Sequence, residues 1–167
     1  KYSMAFAIQQ TDASVIKLIH QTTQEVIILP STKNFTSDLK IFSSHLKEDD
    51  VVVLDGYNFK SQYQKALKEK KCKVVCIDDL HAWHQYSDVI INHADAVKKS
   101  MYSAEKHTQF CLGLDYILLR KEFLKSKARE NTIGKVRNVF ISMGAADEHN
   151  VTEKFAKCLI EINGVEE

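Results

Sequence analysis

Asp50-Val51-Val52-Val53-Leu54-Asp55 is a run of four apolar residues closed at each end by a carboxylate, and Gly56-Tyr57 follows at once. A short, unalternating apolar run between polar residues is the pattern of a strand covered on both faces, as in parallel sheets. Working outward, runs of the same kind occur at 3–9, 25–29, 73–77, 88–92 and 137–142. Between them the apolar residues take helical spacing, at 12–20, 36–47, 59–71 and 148–162. The second of these helices places Leu39, Phe42 and Leu46 on one stripe, and the last does so for Val151, Phe155, Cys158, Leu159 and Ile162. Strands alternating with helices imply right-handed βαβ crossovers. The pattern predicts an α/β protein built on a doubly wound parallel sheet.

Composition narrows the function. Of 167 residues, 44% are apolar and 27% charged, which suits a folded domain rather than a disordered chain. A net charge of +1 carries no basic footprint for nucleic acid. Nowhere is there the run of roughly 18 apolar residues that crossing a membrane requires. The cysteines Cys72, Cys76, Cys111 and Cys158 lack metal-ligand spacing, and Cys72 and Cys76 lie in or beside a strand, where they read as small apolar residues. Reduced thiols fit a cytoplasmic setting. Lys1 leads straight into a core strand and Gly164-Val165-Glu166-Glu167 stops straight after a helix, so both ends read as cut. The polar stretch from Lys121 to Lys135 lacks a core pattern. The expected organisation is therefore a first domain over 1–120, a linker over 121–136, and the first strand and helix of a second domain over 137–167.

In open parallel sheets, ligands bind at the carboxyl ends of the strands. Four such ends carry polar residues. At Asp55-Gly56-Tyr57-Asn58, glycine permits a sharp turn or a positive φ. There Tyr57 positions a substrate, donates a proton or packs on the loop, and Asp55 either orients a base or caps the next helix. At Asp78-Asp79-Leu80-His81-Ala82-Trp83-His84, paired carboxylates and two imidazoles admit three readings: a metal site, capping of the loop, or the wall of a substrate pocket. Neighbouring carboxylates on an extended chain point apart, which counts against the metal. Asn92 closes its strand with both a donor and an acceptor, for a sugar, a nucleotide or its own loop. Ser142-Met143-Gly144-Ala145-Ala146-Asp147 leads into a helix, so backbone N–H groups there could face a diphosphate. It is neither a Walker loop nor Gly-x-Gly-x-x-Gly, and the chain has no Gly-x-Ser-x-Gly elbow and no His-Glu-x-x-His.

Taken in order, these places resemble one family, the UDP-sugar hydrolases of pseudaminic acid biosynthesis. Asp55-Gly56-Tyr57-Asn58 is similar to the family's Asp-His-Tyr-Gly, with Gly56 standing where the family has histidine. Asp78-Asp79 follows the next strand as in the family, and Ser87-Asp88 through Asn92 resembles its Cys/Ser-Asp-x-x-x-Asn. Gly113-Leu114-Asp115-Tyr116-Ile117-Leu118-Leu119-Arg120-Lys121-Glu122-Phe123 resembles Gly-x-x-Tyr-x-x-Leu-Arg-x-Glu-Phe. Met143-Gly144-Ala145-Ala146-Asp147-Glu148-His149-Asn150 resembles Met-Gly-Gly-x-Asp-x-x-Asn, with Ala145 in place of a glycine. The resemblance implies a GT-B-like arrangement of two Rossmann-like halves, of which this chain carries the first half and the opening β-α unit of the second. It implies release of UDP from a diacetamido-trideoxy sugar without cofactor or metal. Tyr57 and Asp55 would take the catalytic role, Asp78, Asp79 and Asn92 the sugar, and Gly144, Ala145, Asp147 and Asn150 the nucleotide. It further implies that a histidine upstream of Lys1 activates the water, that this fragment is inactive alone, and that other glycan-biosynthesis domains are fused to it or associate with it. A GT-B glycosyltransferase and a non-catalytic nucleotide-sugar-binding module are the alternatives.

Overall fold

A computed structural model describes residues 3–31, 35–125, 139–143 and 147–161. The chain divides into two compact units, Lys1–Leu119 and Arg120–Glu167. The first unit is α/β with parallel sheets and Rossmann-like in its alternation of strand and helix. Its elements are β1 (Ala5–Gln9), α1 (Ala13–Ile19), β2 (Glu25–Leu29), α2 (Phe35–Ser44), β3 (Val51–Asp55), α3 (Ser61–Glu69), β4 (Lys73–Ile77), β5 (Val89–Asn92) and β6 (Gln109–Leu112). Every pairing is parallel, but the strands form two hydrogen-bonded sheets, β1-β2 and β3-β4-β5-β6.

Local chemistry sets the helix boundaries. Asp12 opens α1 by accepting a hydrogen bond from the Ser14 amide at 2.8 Å, a usual role for aspartate at an N-cap. Within α3, Tyr63, Gln64 and Leu67 fall on one face and are buried. They pack on Val52 and Leu54 of β3 and on Val74 and Cys76 of β4, with Cys72 beside them. Leu39 and Phe42 of α2 and the following Leu46 close this core, as their helical spacing predicts. All four cysteines are free, and Cys72 and Cys76 are buried as apolar filling. Burial drives the Cys76 thiol up to about 12, with Asp78 and Asp55 adding to the shift.

Two sequence expectations are corrected. The run Val51–Leu54 is not covered on both faces among the described residues. Val52 and Leu54 are buried, while Val51 and Val53 on the opposite face are 65% and 58% exposed, because α3 packs on one side only. The strand expected over 137–142 is also not seen. Of that range 139–142 are described, and they form no strand. Phe140 there is 92% exposed. A strand exists only through its pairing, and no partner stands beside this segment among the described residues. Conversely, β6 was not expected. Its four residues carry no periodic signal, and its pairing with β5 (Val89↔Gln109 through Asn92↔Leu112) creates it.

The second unit contains α4 (Lys121–Leu124), inside the stretch expected to be a linker, and α5 (Val151–Ile160). Asp147 starts α5. Its two carboxylate oxygens accept from the amides of Val151 and Thr152 at 2.7 and 3.0 Å, and these bonds hold its carboxyl below the usual range.

Candidate functional site

The carboxyl ends of β3, β4 and β5 surround a cleft of about 370 Å³. Asp55, Gly56 and Tyr57 enter it from β3, Asp78 and Asp79 from β4, and Asn92 from β5. All five residues assigned to catalysis or sugar binding from sequence thus come together. In-register parallel pairing is the cause, since Asp55 stands beside Ile77 and Ile77 beside Ile91, which aligns the three ends.

Gly56 makes the turn. Its φ is +140°, a region L side chains rarely adopt, and an added Cβ would lie 3.3 Å from the Phe59 ring. Any side chain at this position would strain the turn. The chain bends at Gly56, and Tyr57 at the cleft is 63% exposed. Its hydroxyl donates to Asp79 Oδ2 at 3.2 Å. The Asp79 charge and that bond, with a smaller push from Asp55, raise the phenol above its ordinary value. Tyr57 is therefore a neutral phenol at physiological pH, its proton directed at Asp79. Asp55 accepts no hydrogen bond among the described residues, and it does not cap α3, whose N-cap is Lys60. The capping alternative for Asp55 is set aside on that ground.

Asp78 is 6% exposed and has a different role. Its Oδ2 accepts the His81 amide at 2.8 Å and so shapes the turn after β4, in which His81 takes a φ of +43°. Asn92 is 2% exposed, and both ends of its amide are engaged. Its Nδ2 donates to Tyr102 Oη at 2.9 Å and its Oδ1 accepts the Ala94 amide at 3.0 Å. Tyr102 in turn donates to the Asp78 carbonyl at 3.2 Å, and burial pushes its hydroxyl up to about 12. Asn92 thus acts on the cleft by tying two strand ends together.

His81 and His84 do not line the cleft. His84 bridges Ser103 Oγ (2.8 Å from Nδ1) and Glu105 Oε1 (3.1 Å from Nε2). Among the described residues no group of three or more histidine, cysteine, aspartate or glutamate side chains is arranged to hold a metal. In the second unit, Gly144 and Ala145 lie outside the described residues. Asp147 and Asn150 stand at the start of α5, where Asn150 has a left-handed φ of 49° and donates to Glu153. The Val151 and Thr152 amides that could face a phosphate already have an acceptor in Asp147.

Sequence reasoning missed Ile77, Ile91, His93 and Leu118 in the lining, and Tyr102 behind it. The first three adjoin the predicted strand ends and were within reach of the same rule. Leu118 and Tyr102 come from irregular segments with no period to betray them.

No family model matches the chain, and no solved structure does. The uncharacterized protein MJ1062 of Methanocaldococcus jannaschii is 24% identical over 158 residues, covering 90% of this chain. The chain spans about a third of that relative's length, 32%. Among the described residues no helix is long and apolar enough to cross a membrane.

Proposed function

We propose that the chain is part of a nucleotide-sugar hydrolase that releases UDP from a deoxy sugar bearing nitrogen substituents. The diacetamido-trideoxy sugar is the substrate implied by the resemblance in sequence. The observation that carries this reading is the Tyr57 phenol hydrogen-bonded to Asp79 in a cleft at three adjoining strand ends, which residues of four of the five resembling motifs line. In the reaction, water attacks the anomeric carbon, the bond from that carbon to the diphosphate oxygen breaks, and UDP leaves with the bonding electrons. The water's proton passes to a base, which the resemblance assigns to a histidine outside these residues. Tyr57, held neutral, contributes position rather than proton abstraction: its donor is fixed on Asp79 and its oxygen lone pair is left to orient the attacking water or a sugar hydroxyl.

The test is UDP release by the full-length protein from candidate UDP-sugars with no acceptor added. Release is expected, and Tyr57→Phe should slow kcat by one to two orders of magnitude, roughly the effect of a lost orienting hydrogen bond. Turnover that requires an added sugar acceptor would replace the hydrolase with a glycosyltransferase. Binding without any turnover would leave a nucleotide-sugar-binding module.

A further inference from the structure

The two parallel sheets of the first unit stop short of each other at β1 and β3. Lys73 donates its amide to the Asp50 carbonyl. By the alternation of a parallel ladder, Val52 and Leu54 then bond toward β4, and the backbone groups of Val51, Val53 and Asp55 point away from it. Gln10 donates to the Leu29 carbonyl in the same way, which turns the backbone of Ala5 and Ala7 away from β2. Among the described residues no strand pairs with these outward groups. Neither β1 nor β3 carries the lysine or proline that blunts a natural sheet edge.

The course of α2 sets the two edges toward each other. Asp38 in its first turn accepts from Gln9 Nε2, at the end of β1, at 2.7 Å. Burial first, and then the charge of that same Asp38, push the Tyr63 hydroxyl on α3 up to about 12, so Asp38 stands between β1 and α3. Leu39, Phe42 and Leu46 meanwhile pack on the core that α3 forms with β3 and β4. The chain therefore steps from β2 back past β1 to β3, and α2 and α3 lie over one face. Side chains alternate along each strand, so Phe6 and Ile28 share with Val51 and Val53 the face turned from α2, and all four are exposed.

We infer that a strand–helix unit of the longer polypeptide, leading directly into β1, inserts its strand between β1 and β3, parallel to both, and lays its helix over Phe6, Val51 and Val53. Handedness selects this occupant. From a strand beside β3, the step to β1 runs opposite to the step that α2 makes, and a right-handed connection then places its helix on the face α2 does not use. That is the bare apolar face. A second copy pairing its own β3 edge about a two-fold axis would run antiparallel and would leave β1 unjoined. Length allows such a unit, since this chain spans 32% of MJ1062. The inference stands apart from the nucleotide-sugar reading, yet it bears on the site. The inserted strand ends beside Asp55, so the loop after it opens onto the cleft, at the reversal of strand order where open α/β sheets bind ligands.

Hydrogen exchange in the full-length protein, resolved to single amides, tests the pairing. The amides of Val51, Val53 and Asp55 should exchange as slowly as those of Val52 and Leu54, at least roughly a hundredfold slower than an open edge allows. Fast exchange at the three odd positions beside slow exchange at the two even ones would overturn the inference. A p-benzoylphenylalanine photo-crosslinker in place of Val53, again in the full-length protein, identifies what covers the face. The crosslink should be intramolecular and should fall in the helix that leads into β1. A crosslink to a second copy, or to a segment elsewhere in the chain, would overturn the assignment of the occupant. The exchange measurement needs no variant, so it decides the pairing even where the label disturbs the fold.

Discussion

Replacing Gln64 by leucine tests whether a buried amide holds the cleft in shape. Gln64 lies on α3 at 0% exposure and its side chain has three partners besides a long contact to Cys76 Sγ. Nε2 donates to the Phe59 carbonyl at 3.0 Å and to Gln85 Oε1 at 2.7 Å, and Oε1 accepts the Tyr86 amide at 2.8 Å. One side chain thus fastens the turn that begins at Gly56-Tyr57 to the segment that follows Asp78-Asp79. Leucine fills nearly the same volume but strands a carbonyl, an amide oxygen and an N–H. Each stranded buried group costs about 1–3 kcal/mol, part of which is recovered because leucine is cheaper to bury. Gln85 Nε2 already lacks a partner, so this pair has little slack for rearrangement. The net loss should be about 3 kcal/mol, a fall of roughly 10 °C in Tm for a unit of this size. Scanning calorimetry reads it directly. Leu67→Ala on the same helix is the matched control, since it opens a cavity of comparable cost and leaves the Phe59 and Tyr86 ties in place. Well below both melting temperatures, Gln64→Leu should reduce UDP release by the full-length protein more than Leu67→Ala does. A Gln64→Leu protein as stable as the wild type would refute the reasoning.

Two further outcomes follow from charge. The Asp79 carboxylate holds up the Tyr57 phenol, so Asp79→Asn should lower the alkaline titration midpoint of that one tyrosine toward its ordinary value, read as the tyrosinate absorbance lost on adding Tyr57→Phe; an unmoved midpoint counts against the pair. Burial pushes the Asp88 carboxyl up, but hydrogen bonds from Lys68 Nζ (2.8 and 2.7 Å) and the Val74 amide (2.7 Å), with the Lys68 and Lys73 charges, leave it lowered overall. A depressed carboxyl stabilises the fold above its unfolded value near ~3.9, and that stability is lost as pH falls through the folded value. Denaturant midpoints of wild type and Asp88→Asn should therefore converge below about pH 4, with His107 at 3.8 Å adding a little attraction once protonated; a gap unchanged at low pH would remove the ion pair as its cause.

The sequence carried the fold as far as period and burial reach. Five of the six strands of the first unit were legible because each is a short apolar run set between helical patterns. β6 was not, since Gln109-Phe110-Cys111-Leu112 becomes a strand only by lying against β5. The segment around Phe140 failed in the opposite sense: it has strand composition, and no strand beside it among the described residues. Strand character in sequence is a capacity for pairing, and the pairing is supplied by residues far away. Asp55, Tyr57, Asp78, Asp79 and Asn92 were found by the rule that parallel sheets bind ligands at their carboxyl ends. Their division of labour was not, because it depends on which hydrogen bonds are already spent.

That division follows from a two-residue period running past the end of β4. Val74, Cys76 and Asp78 alternate with Val75, Ile77 and Asp79, and the first series is buried throughout. Adjacent aspartates are thereby sent to opposite faces of the sheet, one to the covered side with Asn92 and one to the open side with Asp55 and Tyr57. The covered pair shapes the turns, through the His81 and Ala94 amides and Tyr102. The open group is left with a tyrosine whose proton is directed and a carboxylate with no partner among the described residues. A pocket in which one set of polar groups is consumed by structure and another is left unspent presents the second set to a ligand.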